Sequence, residues 1–191
     1  MIYQDFKSPN FDKDRRAVPD VFVIHQTNGS FPCVRDWFLN PDSLVSAHYV
    51  IDRCGHLYRF VDPRCVAWAN GASLKGKDDD RSIAWSTSKL VRSRRINPNR
   101  YTISIEFETR PGSWFLEILP GQYLAGASLL LALHSWVINE YGVSVPLDDM
   151  HILKHCEISP KHKPCCGAAI NKARLFHTIE LLRQDAENNG K

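Results

Sequence analysis

The chain has 191 residues, of which 43% are hydrophobic and 24% charged, and its formal net charge is +3. This length suits one domain with a sizeable core, because two independent domains would each be small. The mildly basic balance tolerates an anionic partner, but it is far from that of a dedicated polybasic binder.

The N-terminus carries no basic segment followed by an apolar run, so we expect no secretory signal. Reduced thiols of a protein that accumulates in a cytoplasm are then the simplest interpretation of the cysteines. The sequence contains six of them, at positions 33, 54, 65, 156, 165 and 166. Activity outside the cell would need another route of release.

The first apolar run follows a polar segment that extends to Asp20. Residues 21–24 are apolar and rich in β-branched side chains, which predicts a buried central strand that ends at His25. A polar residue at the end of such a strand often belongs to a site in α/β proteins. A lone histidine there can also simply satisfy a hydrogen bond, and this alternative stays open.

Residues 33–39 have apolar positions at helical spacing and predict a short helix before Asn40 and Pro41. Residues 47–53 and 57–61 predict two strands of a hairpin around a tight turn at Gly55. His48 falls within the first of these strands. We expect it to be a structural histidine or part of a pocket wall rather than a metal ligand.

Residues 71–99 show no clean period, apart from a short helix expected near residues 83–90. Between Arg81 and Arg100 the chain has six basic residues and no acidic residue. A solvated loop and a surface that grips an anionic polymer are both compatible with this pattern.

Residues 101–108 alternate strictly between apolar and polar side chains, which predicts a strand. Glu106 lies on its polar face, where it either meets water or, if that face lines a cleft, can transfer protons. Residues 122–141 form the clearest helix, which Gly142 would cap. Its uninterrupted apolar run is too short to span a bilayer, so we expect a core helix.

The last part of the chain predicts a strand over residues 151–155 and an amphipathic helix over residues 172–185. We therefore expect one domain over residues 1–186, followed by a polar tail or the start of a linker at residues 187–191. Between these elements, Pro160 and Pro164 restrict a turn that His155 and Cys165 bracket.

Three nitrogen or sulfur ligands suit a catalytic zinc, because its fourth position must stay open for water. His25, His155 and Cys165 provide such a set. A structural zinc would need a fourth protein ligand, and the chain has none of the usual paired-cysteine spacings. The side chains that could provide a fourth ligand are Cys156, Cys166, His151 and His162.

Five motifs together carry a family resemblance: V-I-H-Q-T-N-G, S-A-H-Y-V-I-D-R-C-G-H-L-Y, A-W-A-N-G, I-S-I-E-F-E and K-H-C-E-I-S-P-K-H-K-P-C-C-G. Over about residues 21–176 the chain resembles the zinc-dependent N-acetylmuramoyl-L-alanine amidases of the peptidoglycan-recognition-protein superfamily. The resemblance implies an α/β fold with a mixed central β-sheet flanked by helices. It also implies a zinc ion (Zn²⁺) in a surface groove that receives peptidoglycan.

The resemblance assigns the chemistry to five residues of this chain. His25, His155 and Cys165 match the three zinc ligands, and Glu106 matches the carboxylate that serves as the base in part of the family. Lys163 matches the basic residue that stabilises the transition state. This set implies hydrolysis of the amide between N-acetylmuramic acid and L-alanine.

The substrate contacts are expected along the walls of the groove, and two positions depart from the family pattern. The candidate substrate-binding residues are His48, Trp68, Asn70 and His162. Ala47 stands where some members have a tyrosine that assists the zinc-bound water, so proton transfer would depend more on Glu106. Ala69 stands where many members have a pocket histidine.

The implied partner is bacterial peptidoglycan, with no nucleic acid and no membrane, and the protein is expected to be a monomer. Without a signal peptide, it fits a phage endolysin that waits in the host cytoplasm, acts on the wall after release and is followed by a wall-binding domain. The alternatives are a cytoplasmic enzyme that recycles wall fragments and a peptidoglycan-binding protein that does not cut. A nucleic-acid binder using the basic loop is a weaker alternative, because no reading motif accompanies the charge.

Overall fold

The computed structural model describes residues 3–112, 115–164 and 167–189. The strands in these ranges are β1 (Tyr3–Asp5), β2 (Phe11–Asp12), β3 (Val21–Gln26), β4 (Tyr49–Ile51), β5 (Leu57–Arg59), β6 (Val66–Ala67), β7 (Thr102–Phe107) and β8 (Ile152–Lys154). The α-helices are α1 (Phe31–Leu39), α2 (Lys89–Arg94), α3 (Pro120–Tyr141), α4 (His155–Ile158) and α5 (Lys172–Asn189). Short 3₁₀ helices cover Pro41–Ser43, Ile83–Trp85 and Pro98–Tyr101.

Six strands form one mixed sheet in the order β1-β5-β4-β7-β3-β8. The β4–β5 hairpin is antiparallel, and the other neighbouring pairs in this sheet are parallel. Strands β2 and β6 form a separate antiparallel pair. The expected α/β fold, a mixed central sheet flanked by helices, is confirmed.

Strand β3 is buried along its whole length, as its apolar run predicts. Phe22 and Ile24 belong to the large cluster that includes the buried sides of α3 and α5. Val21 and Val23 point to the other face, where they join Ile83, Val91 and Tyr101 in a second cluster. Because both faces of the sheet are covered, this strand has no apolar–polar alternation at positions 21–24.

The β4–β5 hairpin was predicted, but β4 is shorter than expected. It begins at Tyr49, so His48 precedes the strand rather than lying inside it. Gly55 adopts a left-handed conformation (φ 84°) in the turn. A Cβ at this position would also lie 2.8 Å from the carbonyl oxygen of Gly121, so the turn and the start of α3 approach closely.

Helix α3 is the core helix that the sequence predicted, and it ends at Gly142 in a left-handed conformation (φ 69°). Its length and composition alone would suit a membrane span, yet half of the apolar window is buried inside the protein. It packs against the sheet and α5. Helix α5 is longer than predicted and continues to Asn189, into the segment expected to be a tail.

The segment between residues 71 and 99 contains two short helical pieces in place of the single one expected near residues 83–90. Several of its basic side chains have partners within the chain. Arg94 pairs with Asp20 and stacks on the Tyr101 ring, and Arg81 pairs with Asp79. These contacts account for part of the charge that the sequence concentrates in residues 81–100.

Gly126 allows α3 to approach β7 closely, and this contact yields a stability prediction. A Cβ at Gly126 would lie 2.7 Å from Cζ of the buried Phe107 ring. Gly126→Ala should therefore lower the free energy of unfolding by about 1–3 kcal/mol, although alanine is favoured by about 1 kcal/mol in a helix. Denaturant unfolding would measure the change, and the same substitution should cost less in a Phe107→Leu background. An equal cost in both backgrounds would contradict the proposed contact.

Candidate active site

Three adjacent parallel strands bring the predicted site residues to one edge of the sheet. His25 on β3 is the direct register partner of Glu106 on β7. On the other side of β3, Ile24 is opposite Lys154, and β8 ends there, so His155 follows beside His25. The carboxyl ends of parallel strands share an edge, which is where α/β proteins usually form their sites.

The two histidines face each other through the same ring nitrogen. Nδ1 of His25 lies 3.0 Å from Nδ1 of His155, and both side chains are buried. Nε2 of His155 lies 2.7 Å from the carbonyl oxygen of Asn70. Because a carbonyl can only accept, this nitrogen carries the ring proton and Nδ1 of His155 keeps its lone pair.

Both histidines are held in the neutral form that a metal ligand requires. Burial lowers the pKa of His25 well below its usual value, and the neighbouring His155 and Lys163 lower it further. Burial likewise lowers the pKa of His155 to about 4, with the carbonyl of Asn70 acting in the opposite direction. Neutral imidazoles are ready to bind a metal without first losing a proton.

Glu106 lies beside His25, so that His155, His25 and Glu106 form a row of three side chains. The carboxyl group of Glu106 has few partners. Its Oε1 lies 3.9 Å from Nδ1 of His25, and its side chain is 16% exposed. Oε2 is buried without a hydrogen-bond partner among the described residues. Burial raises the pKa of Glu106 to about 8, although the positive charge of Lys163 lowers it in part. A carboxyl group whose pKa is shifted toward neutrality is suited to proton transfer.

The donor set fits a zinc ion. Two nitrogen ligands at 2.0–2.1 Å from a tetrahedral zinc would be separated by about 3.3 Å, close to the 3.0 Å between the two Nδ1 atoms. Cys165, the predicted third ligand, lies outside the described residues. The two described histidines, whose Nδ1 atoms face each other at this spacing, are therefore what the structure contributes to this fit.

The row lies at a cleft of about 860 Å³ whose lining combines polar and apolar side chains. The polar part includes His162 and Lys163, together with Glu106 and His155. The apolar part includes Trp37 and Leu44, whose side chains are unusually exposed for their size. A cleft with few polar groups in a largely apolar lining is typical of a small-molecule or polymer binding site.

The structure separates the four predicted substrate-binding residues into two pairs. Trp68 and His162 line the cleft. Asn70 is fully buried, and only its backbone carbonyl reaches the row, through His155. His48 is also buried, with Nδ1 accepting from the Ser104 amide and Nε2 next to Arg15. The contacts of His48 are those of a structural histidine, which the sequence analysis preferred to a metal ligand at this position.

Residues 167–169 are attached to β3 by Gln26, a residue that the sequence analysis missed. Oε1 of Gln26 accepts hydrogen bonds from the amides of Gly167 (3.1 Å) and Ala169 (2.9 Å). Gly167 has a φ of 95°, and a Cβ there would lie 3.0 Å from the side chain of Lys154. The motif V-I-H-Q contains Gln26, but only the fold reveals its distant partners.

A second group of metal-capable side chains lies in the β4–β5 hairpin. Asp52, Cys54 and His56 place one ligand atom each within 4.8 Å of one another. Hydrogen bonds already occupy both oxygens of Asp52. Oδ1 accepts from the amides of Cys54 and His56, and Oδ2 accepts from Nδ1 of His56 and from the Tyr58 hydroxyl. These hydrogen bonds stabilise the tight turn of the hairpin, which explains why the three side chains lie close together.

The comparisons with known proteins agree with this geometry. Residues 14–168 match the sequence family described as N-acetylmuramoyl-L-alanine amidase (Amidase_2). The chain belongs to this family. The predicted membership of the amidase superfamily is thus confirmed, whereas no curated protein sequence matches the chain.

Several solved structures share the amidase fold at low sequence identity. A selenomethionine derivative of AmpD has 22% identity and a TM-score of 0.64, covering 93% of this chain and 94% of its own. The Staphylococcus aureus hydrolase AmiA has 10% identity and a TM-score of 0.57, covering 94% and 82%. The endolysin amidase LysCS from Clostridium intestinale has 12% identity and a TM-score of 0.52, covering 92% and 95%. At these identities the likeness concerns the fold.

The role of Gln26 in the amidase fold can be tested by removing its acceptor oxygen. Gln26→Leu keeps a similar size but leaves the amides of Gly167 and Ala169 without their partner. We expect these two amides to exchange hydrogen faster and the free energy of unfolding to fall by about 1–3 kcal/mol. Hydrogen exchange followed by NMR would measure the first effect, and unchanged rates at both amides would contradict the assignment.

Proposed function

We propose that the protein hydrolyses the amide bond between N-acetylmuramic acid and L-alanine in bacterial peptidoglycan, with a zinc ion as cofactor. The observation that carries this proposal is the buried row of His155, His25 and Glu106 at the cleft, in a chain of the amidase family. A chain that only bound peptidoglycan would have no need of a buried carboxylate beside two converging imidazoles.

His25, His155 and Cys165 are the residues that would hold the zinc. Pro164, immediately before Cys165, lines the cleft, and the amide of Gly167 two residues after it is bound to Gln26. The described residues on either side of Cys165 thus contact the cleft or the strand that carries His25, which supports this choice of third ligand. When bound, zinc supplies Lewis acidity for the amide carbonyl and for the attacking water.

Glu106 and Lys163 carry the proton and charge transfers in this mechanism. Glu106 accepts a proton from the attacking water and passes it to the leaving amine of L-alanine. Lys163 lines the cleft and faces the negative charge that develops on the carbonyl oxygen, a role typically worth about 3–4 kcal/mol of barrier. His162, which also lines the cleft, is the weaker candidate for this role.

The lining of the groove offers both apolar and polar side chains to the substrate. Trp68, Trp37 and Leu44 offer apolar surface to sugar rings or stem-peptide side chains. Ala69 also lines the cleft where many members of the family have a histidine, so this wall is wider and less polar. We infer that Trp68 and His162 contact the substrate, while Asn70 and His48 act from behind the surface.

We propose a lytic role, in which the protein acts on the intact wall after release from a host cytoplasm. The fold shared with LysCS, which is described as an endolysin amidase, supports this role. A recycling enzyme would instead act on soluble wall fragments. The choice of substrate in the assay below separates these two roles.

Digestion of purified peptidoglycan, followed by mass analysis, tests the reaction itself. We expect free stem peptides that begin with L-alanine and glycan strands of unchanged length. Glu106→Gln should lower turnover by about 10²–10⁴-fold, because it removes the proton acceptor, while zinc content stays the same. Shortened glycans would refute an amidase, and full turnover by Glu106→Gln would remove this residue as the base. Release from soluble fragments alone, with intact sacculi untouched, would favour the recycling role.

The zinc ligands can be separated by substituting the two adjacent cysteines one at a time. Cys165→Ala should lose bound zinc and activity, because two histidines alone hold the ion weakly. Cys166→Ala is the matched control and should retain both. Metal analysis of the purified variants gives the result directly, and the reverse pattern would transfer the third ligand to Cys166.

A further inference from the structure

The carbonyl group of Asn70 is the hydrogen-bond partner that decides which nitrogen of His155 faces the site. It accepts from Nε2 of His155 at 2.7 Å, which leaves Nδ1 of the same ring as a lone pair directed toward His25. Metal-binding histidines usually have such a partner on their second nitrogen, and this partner sets the orientation of the ring. By contrast, Nε2 of His25 is buried without a partner among the described residues.

Two hydrogen bonds hold Asn70, one through its backbone amide and one through its side chain. Its backbone amide donates to Oδ1 of Asn99 at 2.9 Å, and its side-chain Nδ2 donates to Oγ1 of Thr102 at 3.0 Å. Asn70 and Thr102 are fully buried, so neither bond competes with solvent. Gly71 follows with a φ of 54°, a conformation that glycine adopts without steric cost. These two bonds together restrict the position of the Asn70 carbonyl group.

Arg15 supports the segment that holds Asn70. Its guanidinium donates to the carbonyl groups of Thr102 (2.8 Å), Arg100 (3.1 Å) and Asn99 (3.4 Å). The side chain is buried, and among the described residues no carboxylate forms an ion pair with it. Arg15, which is distant in sequence, therefore holds the backbone that carries Asn99 and Thr102.

Stability alone does not account for this arrangement. Oδ1 of Asn70 and Nε of Arg15 are both buried without a hydrogen-bond partner among the described residues. Buried polar atoms that stay unpaired destabilise a fold, and a buried charge without an opposite charge adds to that cost. An apolar residue at position 70 would avoid the first cost but could not bind Thr102.

We propose that Asn70, with Thr102 and Asn99, is a positioning residue that holds His155 as the Nε2–H tautomer with Nδ1 directed at the metal position. This inference rests on the proposed zinc site and names the residues that prepare it. It also replaces the expected role of Asn70 as a substrate contact. Each of the hydrogen bonds in this arrangement joins protein groups alone.

Nitrogen-15 NMR of the histidine rings, in the full chain and without zinc, tests the tautomer. The wild type should show His155 with the proton on Nε2. Asn70→Ala and Thr102→Val each remove the side-chain hydrogen bond, and both should give a mixture of the two tautomers. Thr102→Ser keeps the hydroxyl group and should restore the wild-type ring signals. Unchanged signals in both Asn70→Ala and Thr102→Val would overturn the proposal.

Zinc affinity, measured by competition with a chelator, provides the second readout. Asn70→Ala and Thr102→Val should each weaken binding by about 10–100-fold, and combining them should add little, because both remove the same hydrogen bond. Asn10→Ala is the matched control, since Asn10 is a buried asparagine that bonds the carbonyl groups of Asn40 and Val45. It should lower stability and leave zinc affinity unchanged.

The two readouts separate failure of this inference from failure of the proposed function. A wild type that binds no zinc would refute the proposed function, while the ring signals of the metal-free protein would still test the tautomer. Equal losses of zinc affinity in Asn70→Ala and Asn10→Ala would show a general effect of destabilisation and would overturn the positioning role.

Discussion

The parallel register of β7, β3 and β8 is the constraint on which the site depends. It places Glu106 directly opposite His25, and it ends β8 so that His155 follows at the adjoining position. Side chains alternate between the two faces of a sheet, so a shift of one residue would turn Glu106 toward the core side. The apolar residues that alternate with the site residues prevent such a shift, because Ile24 and Ile105 must stay in the cluster beneath α3. Packing of the core therefore determines which side chains lie on the opposite face of the sheet.

The same burial that fixes the row also sets its electrostatics. The two histidines are kept neutral, and the pKa of Glu106 is raised to about 8 by its loss of solvent. Lys163 is the charged group that acts on all three, since its positive charge lowers the pKa of each. A bound cation is often the largest local charge in such a site and changes this balance. Burial thus favours the uncharged forms of all three side chains, and a bound cation would shift Glu106 toward its ionised form.

Local patterns in the sequence predicted most of the large elements. The apolar run of β3, the alternation in β7 and the apolar length of α3 are all properties of neighbouring residues, and each was predicted at nearly its observed position. Strands β1 and β2 were not predicted, because they are short and depend on pairing with β5 and β6 far along the chain. Burial of Asn70 was missed for the same reason, since its partners Asn99 and Thr102 are distant in sequence.

One departure of this chain from the family pattern bears on the proposed proton transfer. Ala47, where some members have a tyrosine, is fully buried and packs with Phe38, Val50 and Phe60. A larger side chain at this position would have to displace these residues, so the alanine also suits the packing of this cluster. Without a tyrosine there, Glu106 is the described group in the row able to accept a proton near His25. In the proposed mechanism this makes Glu106 the proton acceptor, a role that suits a buried carboxyl group with a raised pKa and few partners.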